Sequence, residues 1–190
     1  MLPAVLAGAR CVLRPWRAAD RPALLRHADD PAVAANLRLL PHPYDGAAAD
    51  AWLAHAAGAA PPAGLWAVEV DGEAAGCIEL VRGEDVEAAS YEVGYWLGRR
   101  VWGRGVATEA LRLVTAAAWA SDAEVGRVWA GVFGWNRASM RVLEKAGYRR
   151  EAVLERAGVK DGVVFDRVVY AATRDTGRPY RAFGAGEESG

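Results

Sequence analysis

Residues 91–110 read YEVGYWLGRRVWGRGVATEA, and the way this run changes character decides the fold. Its first part completes a strand expected over Ala89–Leu97, interrupted by Gly94, which marks a bulge or a close backbone approach. Arg100, Gly103 and Gly105 then fall at the spacing R-x-x-G-x-G, and an amphipathic helix opens at Gly105. Two positions without side chains therefore stand at a helix entrance, where N–H groups lack intrahelical acceptors and the dipole is positive. Such an entrance suits a phosphate or pyrophosphate. The other reading is a tight connector that uses glycine for positive φ.

Outward from this turn, the helix over 105–120 carries a stripe of Val106, Ala110, Leu113, Val114 and Ala117. Arg127–Phe133 follows as a strand, and Asn136–Ala146 as a second amphipathic helix ended by Gly147. Tyr148–Ala157 and Val163–Thr173 form a hairpin around Lys160-Asp161-Gly162. Upstream, Leu65–Val70 and Glu73–Val81 flank an Asp-Gly turn, a second hairpin signal, and residues 83–88 form a loop. A first strand is expected over 9–14, and a helix from Asp20, its N-cap, through Asp30, with Pro22 in the first turn. A turn-rich break over 39–46 leads to a helix over 47–57, capped by Asp45 and stopped at Gly58. The order implies one mixed sheet covered by helices. Residues 1–174 read as a single domain, and 175–190, rich in glycine and charge, as a flexible tail.

The bulk numbers narrow the function. A chain of 190 residues with 53% hydrophobic and 25% charged content is that of an ordinary soluble domain with a sizeable core. A formal net charge of -1 argues against nucleic-acid binding, although Arg99, Arg100 and Arg104 cluster in the turn. Cys11 and Cys77 match no metal spacing, and a reduced cytoplasmic setting is the default. The opening run MLPAVLAGA lacks a basic leader, and no segment has the apolar length of a membrane span. The expectation is a cytoplasmic protein with no membrane partner.

Two motifs together carry a resemblance. One is Arg100-Val101-Trp102-Gly103-Arg104-Gly105-Val106-Ala107-Thr108-Glu109-Ala110 behind the strand ending at Leu97. The other is Asn136-Arg137-Ala138-Ser139 leading to Leu143-Glu144-Lys145-Ala146-Gly147-Tyr148. With the element order they resemble the GNAT superfamily of acyl-CoA-dependent N-acetyltransferases, most closely its RimJ/RimL-type branch, over roughly residues 9–173. A P-loop is not matched, because no Gly-Lys-Ser/Thr triplet is present, and a dinucleotide fingerprint fails because Thr108 holds its last glycine position. The resemblance implies an α/β (α+β) GNAT fold, a central mixed, mainly antiparallel sheet of about seven strands, splayed in the middle, with about four helices. It implies acetyl-CoA as cosubstrate, no metal, and a primary amine acceptor, either a protein N-terminal α-amine or a small molecule. A homodimer is left open.

The same resemblance assigns roles to residues. Backbone amides around Gly103, Gly105, Val106, Ala107 and Thr108 would take the pyrophosphate, with Val101 and Trp102 in the turn and Arg100 and Arg104 as charge partners. The pantetheine amides would pair with the edge of Trp96, Leu97 and Gly98. A backbone N–H near Leu97 is the expected oxyanion donor. Glu92, on the strand that ends at the thioester, is the first candidate base, and Glu79 on the neighbouring strand is the reserve. A structural ion pair is the competing reading of Glu92. Many family members place a tyrosine seven residues after the asparagine, but that position is Leu143, so the thiol-facing role falls to Ser139. The competing reading of Ser139 is a bond back to the preceding turn. Asn136 would contact pantetheine or cap its helix. Trp16, His42, Tyr44, Trp52 and Trp96 are candidates for an acceptor wall, whereas Arg38, His27 and His55 show no pairing that singles out a role. With no cysteine in the motifs, direct attack in a ternary complex is expected. A non-catalytic acyl-CoA-binding module and a nucleotide-binding domain stay open as other readings.

Overall fold

The computed structural model describes residues 1–58 and 63–179. Among them one sheet of eight strands has the order β1-β2-β3-β4-β5-β6-β8-β7. The strands are β1 (Leu6–Ala7), β2 (Val12–Arg14), β3 (Ala63–Val70), β4 (Glu73–Arg82), β5 (Ser90–Leu97), β6 (Arg127–Phe133), β7 (Arg149–Lys160) and β8 (Val163–Thr173). The helices are α1 (Arg21–Ala28), α2 (Pro31–Ala34), α3 (Gly46–Gly58), α4 (Val106–Ser121) and α5 (Arg137–Ala146). Every pair is antiparallel except β5 with β6. That pair holds only from Ser90–Glu92 against Arg127–Trp129. Beyond Glu92 the two strands part, which is the expected splay.

The sheet has one strand more than expected. The stretch expected as a first strand is shortened to Val12–Arg14, because its leading N–H groups turn elsewhere. Ala9, Arg10 and Cys11 donate to the Glu109 carboxylate at 3.1, 2.6 and 3.1 Å, and Gly8 N–H closes a turn onto Cys11 O at 2.9 Å. Leu6–Ala7 then folds back on β2. There is also one helix more. Pro31 forces Asp30 out of the helical region, to φ −136° and ψ 119°. Asp30 instead caps α2, accepting from Ala32 N–H at 2.9 Å. Asp45 caps the next helix as expected, through Ala48 N–H at 2.9 Å. Asp20 stands at the start of α1, but its carboxylate serves Arg14, at 2.8 Å through each oxygen, and Arg17 N–H.

The two faces of the sheet bury different layers. On one, α4 sets Val106, Ala110, Leu111 and Val114 against Leu80, Val93 and Leu97, all buried. On the other, α1 and α3 pack Leu24, Tyr44 and Ala49 with Trp52 and Trp96. Because side chains alternate along a strand, β5 sends Val93, Tyr95 and Leu97 to the α4 face, and Glu92, Gly94 and Trp96 to the α1/α3 face. Both faces therefore reach the gap beyond Glu92. The expected tail runs over 175–190, and residues 180–190 of it lie outside the described residues. No helix among the described residues is long and apolar enough to cross a membrane.

Candidate active site

At the entrance of α4, Gly103 and Gly105 have φ of 75° and 79°, the left-handed region that costs a side chain strain. No side chain caps the helix. Its first backbone bond runs from Glu109 N–H to Gly105 O at 3.1 Å, which leaves the N–H groups of Val106, Ala107 and Thr108 without a backbone acceptor. A cavity of about 400 Å³ leads from this entrance along β5 to α5. Trp96, Leu97, Val101, Trp102, Gly103, Gly105, Val106, Ala107, Thr108, Asn136 and Ser139 border it, whereas Gly98, Arg100 and Arg104 do not. Arg104 is turned to Asp71, 2.9 Å away, and Arg99 to Asp30 at 2.9 Å. Arg10 lies beside the turn instead: a Cβ on Gly105 would sit 3.3 Å from Arg10 Nε. Sequence reading gave Arg10 no role, and its only signal was the long-range clamp on Glu109.

The β5 edge follows from the register. Gly98 N–H donates to Ala75 O at 2.8 Å, so the opposed pair Gly76 and Leu97 is of the non-hydrogen-bonded kind. By alternation, Trp96 and Gly94 spend their amides on β4, while Val93, Tyr95 and Leu97 aim theirs into the gap. Leu97 O is taken by the Trp102 indole N–H at 2.7 Å. Leu97 N–H remains at the gap. Gly98 is spent on packing, since a side chain there would collide with the His27 ring.

Across the gap, Asn136 caps α5 by accepting from Ser139 N–H at 3.0 Å, and its amide NH₂ is left for other use. Ser139 does not bond back to the preceding turn. Its Oγ is 2.7 Å from the Tyr95 hydroxyl, and burial pushes that phenol above its ordinary range. Leu143, in the family's tyrosine position, is fully buried core. A phenol thus reaches the site from the strand rather than from the helix. Sequence reading missed Tyr95; strand alternation could have found it, because it shares the α4 face with Val93 and Leu97.

On the α1/α3 face a second cavity of about 640 Å³ meets the first at Asn36, Leu37, Tyr95, Trp96, Asn136 and Ser139. Glu79 and Glu92 both line it, as diagonal neighbours on one face: Glu79 opposes Gly94, and Glu92 opposes Val81. The register at Gly94 is unbroken, so its glycine serves close approach and not a bulge. A Cβ there would lie 2.8 Å from Glu79 Oε1. Burial pushes the Glu79 carboxyl above the usual carboxylate range, and the neighbouring Glu92 charge adds to the push. His55 and Arg38 pull it the other way. Tyr44, Trp52 and Trp96 wall this cavity, together with Arg38 and His55, which sequence reading set aside. Trp16 packs edge-on against Trp52, with centroids 6.3 Å apart, and His42 pairs with Asp29 at 3.2 Å; neither lines the cavity.

The family model described as an acetyltransferase (GNAT) domain matches residues 10–149, so the chain belongs to the GNAT acetyltransferase family. Among curated proteins it is similar to the probable N-acetyltransferase YjcK of Bacillus subtilis (strain 168), 40% identical over 79 residues. That match spans 42% of this chain and 43% of YjcK, less than half of either. Among solved structures, Mycobacterium smegmatis RimJ in complex with CoA-disulfide is 26% identical with a TM-score of 0.76, over 90% of this chain and 88% of RimJ. RimL, a ribosomal alpha-N-protein acetyltransferase in complex with coenzyme A, is 18% identical with a TM-score of 0.74, over 90% of this chain and 99% of RimL, and shows the fold alone.

Proposed function

We propose that this chain transfers an acetyl group from acetyl-CoA to a primary amine by direct attack in a ternary complex. The observation that carries this reading is the meeting of two cavities from opposite faces of the sheet, at the gap where β5 leaves β6. Of its structural neighbours, RimJ holds CoA-disulfide and RimL holds coenzyme A. Here the uncapped amides of Val106, Ala107 and Thr108 suit its pyrophosphate, with Arg10 beside the turn and Arg141 and Lys145 on the cavity wall as nearby cations. The free edge of Val93, Tyr95 and Leu97 suits the amides of its arm. Acetyl-CoA supplies the activated acetyl group, and the residues of the chain do the rest.

Glu79 accepts the proton that the ammonium must lose before its nitrogen can attack, a task its raised pKa favours, and Glu92 holds the ammonium beside it. Leu97 N–H is the donor at hand for negative charge developing on the acetyl oxygen. As the C–N bond forms and the C–S bond breaks, the nitrogen gives up its second proton and the sulfur leaves as a thiolate that accepts a hydrogen bond from the Ser139 hydroxyl. That second proton reaches the thiolate through solvent, and CoA departs as the free thiol. Tyr95 holds the Ser139 hydroxyl in place. The acceptor is a protein N-terminal α-amine or a small amine. Cys11 and Cys77, both free and buried, fit a reducing cytoplasmic setting.

The test is thiol release from acetyl-CoA over a panel of amines and N-terminal peptides, with mass analysis of the product. Wild type should release one thiol per acetylated amine, and Glu79→Gln should lower kcat by about a hundredfold. Saturable binding of acetyl-CoA without turnover on any acceptor contradicts the reading and makes the chain a non-catalytic acyl-CoA-binding module.

A further inference from the structure

The acceptor cavity carries a second charged group placed by a glycine. Gly131 on β6 faces Val169, and Phe133 faces Arg167 on β8. A Cβ on Gly131 would lie 2.9 Å from Arg167 Cδ, so the bare backbone at Gly131 is what lets the arginine stem lie flat across β6. Arg167 lines the larger cavity. Among the described residues no carboxylate lies within ion-pair distance of it, although nine other arginines have such a partner, among them Arg14, Arg21, Arg26, Arg82, Arg99 and Arg127.

Gly94 does the same for Glu79 on the other side of the gap. Glu92 opposes Trp129, which shares a strand face with Gly131 and Phe133. Glu79, Glu92 and Arg167 therefore belong to one sheet face, with the carboxylates on the β4/β5 side of the opening and the guanidinium on the β6/β8 side. A half-buried arginine without a protein partner costs desolvation that an anionic ligand group would offset.

Resting on the transferase reading above, we infer that the acceptor is an amine that also carries an anionic group, a carboxylate or a phosphate, which Arg167 binds while the Glu79–Glu92 pair holds the ammonium. The selection acts on binding of the acceptor and is read chiefly in its KM. Arg38 lines the same cavity but is exposed, so it contributes less to this choice.

The experiment measures kcat/KM, corrected for the neutral-amine fraction, with three matched series of rising chain length. These are ω-amino carboxylates, their uncharged amides, and aminoalkyl phosphates. At the best length, wild type should prefer an anionic acceptor over the amide by roughly tenfold or more, as expected for a charge-assisted contact, and the better of the two anionic series identifies the group. Arg167→Gln should bring that ratio to about one, and Arg167→Lys, which keeps the charge but not the planar fork, should fall between. A CoA-induced rise in melting temperature equal to that of wild type shows that the variants are folded. Equal use of amides and anions by wild type, or a preference that survives Arg167→Gln or disappears instead in Arg38→Gln, overturns the inference while leaving the transferase intact. No turnover with any acceptor, with CoA still bound, overturns the transferase reading and this one with it.

Discussion

Two carboxylates on one sheet face behave differently because of what stands opposite each. Glu79 is laid over Gly94 and loses water, while Glu92 lies diagonal to it and supplies a like charge. Glu92→Gln removes that charge, so the Glu79 pKa should fall. The acid limb of kcat/KM, measured with one acceptor, should then move to lower pH. A limb that stays in place would separate Glu79 from the reaction. Tyr95→Phe leaves the Ser139 hydroxyl without its 2.7 Å partner. The expected outcome is a roughly tenfold drop in kcat with the KM for acetyl-CoA little changed, the pattern of an interaction made only in the transition state. At this scale the sequence was read in part. Glu92 and Glu79 were both legible as strand carboxylates near the turn, but the contact of Glu79 with Gly94 was not, because a lone strand glycine does not reveal whose side chain it admits. Tyr95 was hidden because its partner, Ser139, is 44 residues away.

Short-range chemistry made the elements easier to read. Asp71-Gly72 and Asp161-Gly162 both take positive φ, as the two hairpin signals require, and Gly147 ends α5 at φ 100°. The break between α1 and α2 was equally local, at Asp30-Pro31, and was missed because the apolar periodicity ran on through it. The shortening of β2 was not local, since it depends on Glu109, about 100 positions along the chain. At α5, Asn136→Ala should cost about 1 kcal/mol through loss of the cap. Urea unfolding should show this as a lower midpoint with an unchanged slope. Asn136→Asp keeps an acceptor for Ser139 N–H and should hold the midpoint, yet it loses the NH₂ donor and so should weaken CoA binding.

The whole molecule is a continuous sheet opened at one seam, and its stability has a buried electrostatic anchor far from that seam. Arg14, 4% exposed, holds Asp20, 7% exposed, through two hydrogen bonds and also reaches Glu69. Burial alone would raise the Asp20 carboxyl, but the bonds from Arg14 and Arg17 outweigh it and leave it below the usual range. A carboxylate held low stabilises the fold above its unfolded value, near 3.9, and that contribution is lost as pH falls through the folded value. Asp20→Asn should therefore lower stability at neutral pH by about 3 kcal/mol and flatten the acid limb of a stability–pH curve. A variant with an unchanged acid limb would contradict this assignment. At this scale the mixed sheet, its splay and its helical cover were all expected. The opposition of the two cavities was not, because it depends on which residues of β5 face which layer, and that is fixed only by register.

The central claim is that the α4 entrance and the open β5 edge seat the diphosphate and arm of coenzyme A. Calorimetric titration of CoA into wild type, Gly103→Asp and Gly103→Asn tests it most directly. Both substitutions impose the same left-handed backbone, which Asn and Asp tolerate alike, and a Cβ at Gly103 meets nothing within 4 Å, so they differ in charge alone. The account predicts binding by wild type, retention of much of it by Gly103→Asn, and loss of at least tenfold more affinity in Gly103→Asp. Equal affinities for the Asp and Asn variants, measured on folded protein, would contradict it.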